Sequence, residues 1–463
     1  MSPYGVRDLT EGKISKQLIS QALPIMATGF VQMGYTITDM AWVGRLGSRE
    51  IAAVGGMGII LWFVESIALL TKVGAEINIA RSIGLKDFER AKSFASHTIT
   101  LASIIGVFVA VALFVFANPI ISLFRFDAEL AGMARDYLLV NCISQPAAFL
   151  FFTFFGIYNG VGRTAIPFYF LAIGLAWNIL LCPLLIFGIN GHLVLGVKGA
   201  GIATVVSQWI VALLFIWKTK QKNGILDRFP FFVKLRKNHT LLIVKLGFPV
   251  AAMQCLFSVI NYYMAGIASV WGGYLGVMSQ TTGSQIEGIT WSTASGFSTA
   301  LSTITAQNYA RNKIRRAIQA YKYTLTVLLS LGLIASFAFL FAGKELFGLF
   351  VVEEKAQLAG AGYLFVMGFC QLFMMLEIAT AGLWNGFGRT TSPAAVSIIF
   401  NLLRIPLALF LTPRYGVNGV WMAIAISSGM KGIISPLWWQ IVYRKNYRNN
   451  YQQRDVDNFL ETS

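Results

Sequence analysis

Two stretches of this 463-residue chain, 99–123 and 166–192, run on without a charged side chain and are apolar almost throughout. A helix that crosses a bilayer needs about 20 mostly apolar residues, because lipid cannot satisfy a free backbone amide or carbonyl. These two stretches are not exceptional here: 56% of the residues are hydrophobic, 12% are charged, and the mean hydropathy is +0.65. The pattern predicts twelve membrane spans, at 17–44, 51–78, 93–117, 131–160, 165–190, 196–217, 241–270, 276–306, 318–343, 358–387, 391–412 and 416–443.

The chain also repeats itself. Residues 156–164 read GIYNGVGRT and residues 382–390 read GLWNGFGRT, 226 positions later. The same offset relates Gln145 to Gln371, Pro167 to Pro393 and Ala91 to Ala317. This period is too long for a solenoid and suits the internal symmetry of transporters. With six spans in each copy, both copies enter the bilayer from the same side. The expected fold is therefore all-α and polytopic, twelve transmembrane helices in two six-helix lobes related by a pseudo-two-fold axis along the membrane normal. The expected divisions are an N-lobe at 1–220, a basic cytoplasmic linker at 221–240 and a C-lobe at 241–463 with a short cytoplasmic tail. Basic residues keep loops cytoplasmic. The terminal segments and the loops on their side carry 26 Lys and Arg against 8 on the other, which predicts cytoplasmic termini.

Several function classes find no support. The net charge of +17 is spread over loops that face anionic lipid, so it points to membrane lipids and not to nucleic acid. Cys142, Cys182, Cys255 and Cys370 fall within spans without metal-ligand spacing and are expected as free thiols. His97, His192 and His239 have no metal or triad partner in sequence. No Walker A segment supports phosphate binding, and Gly156, Gly160 and Gly162 follow no strand, so close helix packing and a turn explain them better than a dinucleotide loop. The polar first 16 residues do not read as a cleavable signal. No catalytic group, enzyme activity or organic cofactor is expected.

The informative residues are the ionisable ones within spans, each costing roughly 2.5 to 3.5 kcal/mol at a helix centre. The acids that carry the argument are Asp39, Glu65, Glu76, Glu287 and Glu377, and the bases are Lys72, Arg404 and Lys431. An acidic interior beneath basic loops suits a pathway for cations. Each acid has a plainer reading beside the functional one. Glu76 lies one helical turn from Lys72 and can pair with it. Glu65 has no local base, and Asp39 sits within two turns of a span end, where snorkelling competes with function. If Arg404 pairs with Glu377, Glu287 is left as the free carboxylate of the second half.

These residues resemble the multidrug and toxic-compound extrusion (MATE) transporters, prokaryotic type, over nearly the whole chain. The resemblance is carried by the segment from Asp39 to Gly47, DMAWVGRLG, by the twin NGxGRT segments, by the segment from Gly199 to Thr204, GAGIAT, and by a longer signature: Gln285-Ile286-Glu287, then Gly296-Phe297-Ser298 and Ala300, then Ala306-Gln307-Asn308. It implies two lobes around a cavity and an antiporter that expels amphipathic organic cations by alternating access against a proton or sodium gradient. The protein would be a monomer in the inner membrane of a prokaryote. The resemblance makes Asp39, Asn178 and Thr204 the coupling-ion set, with sodium at Asp39 as the one conceivable metal. It makes Glu287, Glu377 and Arg404 candidates in the second lobe, and Glu65, Gln145 and Gln371 candidates for the substrate cavity. Where many prokaryotic members carry a further acid four residues after the asparagine, this chain has Cys182. Span seven also lacks any acid. Both departures favour a proton over sodium. A flippase for a lipid-linked oligosaccharide or other lipid, from the same wider group, is the rival; its basic cavity would rest on Arg404 and Lys431 alone. The halves disagree where charge is concerned, because Asp39 corresponds to Ala265, Leu61 to Glu287, Phe151 to Glu377 and Asn178 to Arg404.

Overall fold

The computed structural model describes residues 5–124, 126–188, 194–221, 225–226 and 229–446. His192, Arg125, the linker residues Lys222 and Arg228, and the tail beyond 446 lie outside the described residues. The regular elements are all helices among the described residues: α1 (Ile14–Val43), α2 (Ser48–Gly84), α3 (Phe88–Val115), α4 (Ala117–Ser122), α5 (Ala128–Cys142), α6 (Gln145–Gly160), α7 (Ala165–Phe187), α8 (Gly196–Lys220), α9 (Lys237–Ala310), α10 (Ile314–Phe341), α11 (Gly343–Gly348), α12 (Glu354–Gly368), α13 (Gln371–Gly386), α14 (Thr391–Leu402), α15 (Arg404–Tyr415) and α16 (Val417–Asn446).

These helices account for the twelve expected spans. Eight stretches are long and apolar enough to cross a bilayer, α14 and α15 counting together as one of them. The pairs α5–α6 and α12–α13, bent by 51° and 53°, each qualify as one broken span. The 74-residue α9 supplies two spans, because its backbone leaves helical geometry at Gly273, with φ 56° and ψ −147°. At 30 residues α1 is long enough but less apolar than the others, since Gln17, Gln21, Thr28, Gln32 and Asp39 interrupt it.

The duplication holds in three dimensions to the residue. Adding 226 to the bounds of α3, α4, α5 and α6 gives those of α10, α11, α12 and α13. The left-handed residues recur in the same register, Lys86 with Asn312 at φ 61° and 60°, and Gly162 with Gly388 at 77° and 66°. The two NGxGRT segments are helix C-caps. In the first, the Gly162 and Arg163 amides donate to the Asn159 and Tyr158 carbonyls; in the second, Gly388 and Arg389 donate to Asn385 and Trp384. Such caps satisfy carbonyls that the helix end leaves open. The glycines ahead of each cap permit close packing. A Cβ on Gly156 would stand 2.2 Å from the Lys72 carbonyl oxygen, and one on Gly382 would stand 2.5 Å from that of Ser298. Lipid gives helices no hydrophobic reason to associate, so small residues that let backbones touch hold such bundles together.

The chain forms two compact units, and neither is a contiguous half. One comprises residues 1–8 and 27–251; the other comprises 9–26 and 252–463. The boundaries of these units fall within α1 and α9, so that the start of α1 packs with the second half of the sequence and the start of α9 with the first. The cause is again close contact at glycine. A Cβ on Gly247 would lie 1.9 Å from the Leu70 carbonyl oxygen in the first unit, and one on Gly296 would lie 2.9 Å from the Met26 amide in the second. The Gln307-Asn308 pair adds a polar grip within the second unit: Gln307 Oε1 accepts the Leu9 amide at 2.9 Å, and Asn308 Nδ2 donates to the Leu9 carbonyl at 3.1 Å.

Candidate functional site

In the first unit, Asp39 near the end of α1 meets residues from two other helices. Gly174, Asn178 and Cys182 recur every four residues on α7, which puts them on one face. On α8, Gly199 allows contact with α7, since a Cβ there would fall 2.4 Å from the Leu185 carbonyl oxygen. That contact carries Thr204 to the carboxylate. The Thr204 hydroxyl is 3.2 Å from Asp39 Oδ2 and 3.1 Å from its own helix's Ala200 carbonyl, so its single proton has two acceptors. Asn178 Nδ2 donates to Thr204 Oγ1 at 3.4 Å, and the Cys182 thiol lies 3.9 Å from Asp39 Oδ1. Asn178, Cys182 and Thr204 are buried, and Asp39 is half-buried. No lysine or arginine pairs with Asp39 among the described residues.

The predicted trio thus assembles, and Tyr35, which the sequence did not single out, lies beside it. Tyr35 is one helical turn before Asp39, and Gly174 gives its hydroxyl room, since a Cβ there would lie 2.3 Å away. The Tyr35 hydroxyl and Asn178 Oδ1 are both buried without a hydrogen-bond partner. Buried polar atoms are ordinarily satisfied, so these two oxygens beside a carboxylate suit an ordered water or a small cation. Glu65 on α2 is half-buried and has no hydrogen-bond or ion-pair partner among the described residues. Lys72 lies over the Phe155 ring, 4.6 Å from its centroid, farther along α2.

The second unit handles its charges differently. Glu377 on α13 pairs with Lys431 on α16 at 3.1 Å and accepts a hydrogen bond from Ser397 at 2.7 Å. The expected alternative of an Arg404–Glu377 pair is not what forms. Arg404, at the start of α15, donates from Nε to Ser427 at 2.8 Å and from Nη2 to Ser428 at 3.2 Å. Glu287 accepts from the Tyr363 hydroxyl at 2.5 Å. These hydroxyl partners come from helices distant in sequence, and no spacing in the sequence marks them.

Gln145 and Gln371 occupy equivalent bends. Each opens the second helix of a broken span, and Gln145 Nε2 donates to the Asn141 carbonyl at 3.0 Å while Gln371 Nε2 donates to the Met367 carbonyl at 3.5 Å. Both amides therefore supply donors that a bent helix loses. Gln371 has a second role, accepting from Thr290 at 3.1 Å. Phe154, Tyr158 and Trp384 are fully buried packing residues. His97 and His239 stack with ring centroids 4.7 Å apart, a pair their sequence positions conceal. No group of three or more potential metal-ligating side chains occurs among the described residues, and no disulfide joins the four cysteines.

The MatE family model matches residues 24–184 and again 249–410, one match per repeat. Among curated proteins, the chain is 24% identical over 422 residues to a probable multidrug resistance protein NorM of Thermotoga maritima, covering 89% of each. It is 25% identical to an FAD transporter of Shewanella oneidensis, covering 92% of this chain and 94% of the other. It is 24% identical to the multidrug export protein MepA of Staphylococcus haemolyticus, covering 90% and 91%. An outward-facing structure of a multidrug resistance MATE transporter superposes with a TM-score of 0.87 at 23% identity, covering 94% of this chain and 97% of that one. Matched in both of its halves and helical in the same arrangement, the chain belongs to the MATE family of multidrug efflux transporters.

Proposed function

We propose that the protein is a secondary antiporter that exports amphipathic organic cations in exchange for protons, with Asp39 as the coupling carboxylate of the first lobe. The observation that carries this reading is the contrast between the units. Asp39 stands among Thr204, Asn178 and Cys182 with no basic partner among the described residues, whereas Glu377 in the other unit is neutralised by Lys431. A carboxylate held without a counter-charge is suited to taking up a cation, and proton, sodium and organic cation then compete for it. Sodium asks for several oxygen ligands, and a thiol at position 182 removes one. That favours the proton. Tyr35 and Asn178 leave sodium as the alternative at the same place, because each has an uncommitted oxygen. Protonation of Asp39 would then release the substrate as α1 bends at Pro24, where the proline removes a helical hydrogen bond. Glu65, unpaired on α2, would add to the attraction for cationic cargo.

The lobes would act as 1–220 and 241–463 joined by the basic linker 221–240, with both termini cytoplasmic, in the inner membrane of a prokaryote, and as a monomer in contact with membrane lipids. The names NorM and MepA of two relatives support multidrug export. A lipid or oligosaccharide flippase would want a strongly basic interior, and of the two bases that could supply it Lys431 is committed to Glu377, which leaves Arg404 alone. The test is ethidium efflux from energised vesicles, wild type against Asp39→Asn. Under an imposed pH gradient the variant is expected to lose export. Undiminished pH-driven efflux would overturn the assignment, and wild-type efflux that collapses on sodium removal but survives a proton ionophore would move the coupling to sodium.

A further inference from the structure

We infer that Arg404 is the oxyanion-binding group of a substrate subsite within the second unit, which selects compounds carrying a carboxylate, zwitterions above all, with Glu287 alongside for their cationic end. The inference rests on the exporter reading and narrows its substrate class.

Arg404 is only 5% exposed, yet its two protein hydrogen bonds go to neutral hydroxyls, Ser427 and Ser428. They use two of the five N–H donors of a guanidinium. The planar fork of arginine is matched by a carboxylate bound through both oxygens, and a structural arginine in a lipid-embedded lobe ordinarily finds one. No carboxylate comes within 4.0 Å of Arg404 among the described residues. The two acids named within the spans of this unit have other partners, Glu377 bonding Lys431 and Ser397, and Glu287 bonding Tyr363. Phe257 lies against the guanidinium, 5.5 Å from its ring centroid. Phe257 and Glu287 are half-buried, so the cluster is not sealed within the unit.

The repeat gives this arrangement a direction. In the 226-residue register Arg404 occupies the place of Asn178, and Ala265 the place of Asp39. The position that in the first unit centres on an unpaired anion therefore centres in the second on a cation with spare donors. Arg404 lies within electrostatic range of Glu377 and, more weakly, of Glu287, without forming a direct pair with either. Opposite charges held apart in this way complement a ligand that carries both signs.

Rhodamine B and its ethyl ester test this, since at neutral pH the first is a zwitterion with a free carboxylate and the second is a cation with the same ring system. Binding of each is measured by fluorescence polarisation with the full-length protein in lipid nanodiscs, and signal from empty nanodiscs is subtracted. Wild type is expected to bind both dyes. Arg404→Gln is expected to weaken rhodamine B at least tenfold and the ester less than twofold. Should that variant fail to fold, Arg404→Lys keeps the charge without the fork, and at least a threefold selective loss of rhodamine B supports the assignment. An unchanged ratio of the two dissociation constants in a folded variant overturns it, as does absence of rhodamine B binding to wild type. Neither readout requires transport, so loss of the coupling assignment at Asp39 would leave this result standing.

Discussion

Lys431 holds Glu377 at 3.1 Å with both side chains largely buried, at 8% and 13% exposure. Removing one member of such a pair strands the other, which costs more than removing both. Lys431→Met is therefore expected to destabilise the protein by about 3 kcal/mol, and Lys431→Met with Glu377→Gln by less. Thermal melting in detergent measures both, and a double variant no more stable than the single would argue against the pair. A second expectation concerns Cys182, fully buried and 3.9 Å from Asp39 Oδ1. Cys182→Asp adds oxygen ligands beside Asp39, where Asn178 Oδ1 and the Tyr35 hydroxyl have none of their bonds made. Ethidium efflux by this variant at fixed pH should become several-fold stimulated by sodium, and an unchanged response would remove position 182 from ion selectivity. At this scale the ionisable residues singled out Asp39 and the family resemblance added Asn178 and Thr204, and the structure brings the three side chains together. Tyr35, Tyr363 and the serines around Arg404 and Glu377 were hidden. A hydroxyl is too common within spans to stand out, and its partner is chosen by which helices touch.

Close helix contacts set the next scale. Gly156 and Gly382 face backbone carbonyls of the neighbouring helix in matching register, at distances no Cβ tolerates. Because the obstruction is backbone, relief requires helices to part, and overpacking of this kind costs about 1–3 kcal/mol. Gly156→Ala and Gly382→Ala should each lower the melting temperature. Gly132→Ala, also within a helix but with nothing within 4 Å of the new carbon, should leave it unchanged or raise it slightly. Equal gains at all three positions would show that helix propensity and not packing governs them, and an equal loss at Gly132 would show that the close approach at Gly156 and Gly382 is not what sets the cost. Spans were readable from the chain because apolar length is written continuously along it. The bends within spans were not. The first has Pro146 beside it, but the second, with no proline, bends to a similar angle at the same register, 51° and 53° respectively. Tertiary packing and the glutamine side chains that re-bond the free carbonyls sustain that geometry, and neither leaves a local signal.

Across the whole molecule, repeat and compact unit do not coincide, and this has a consequence for assembly. Residues 9–26 belong to the unit built mainly from the second repeat, and the start of α9 up to Ala251 belongs to the other. Each half of the sequence therefore supplies a helical segment that completes its counterpart's unit. The handover falls two residues after a proline in both helices, at Met26 to Ala27 behind Pro24 and at Ala251 to Ala252 behind Pro249. The sequence predicted the symmetry through its 226-residue register, and the polar linker at 221–240, where composition changes most, falls inside the first compact unit. Composition marks where a chain leaves the membrane, and packing decides which helices stay together. Expressed alone, residues 1–228 lack the segment that packs Gly247 against Leu70, and residues 229–463 lack the Leu9 backbone that Gln307 and Asn308 grip. Each fragment alone should be protease-sensitive and poorly retained in the membrane. Co-expressed, they should copurify through a tag on either one and restore ethidium export to cells lacking it, because the cut lies in the linker and spares both exchanged segments. Fragments that resist protease singly would mean that each repeat folds unaided and that the exchange forms afterwards.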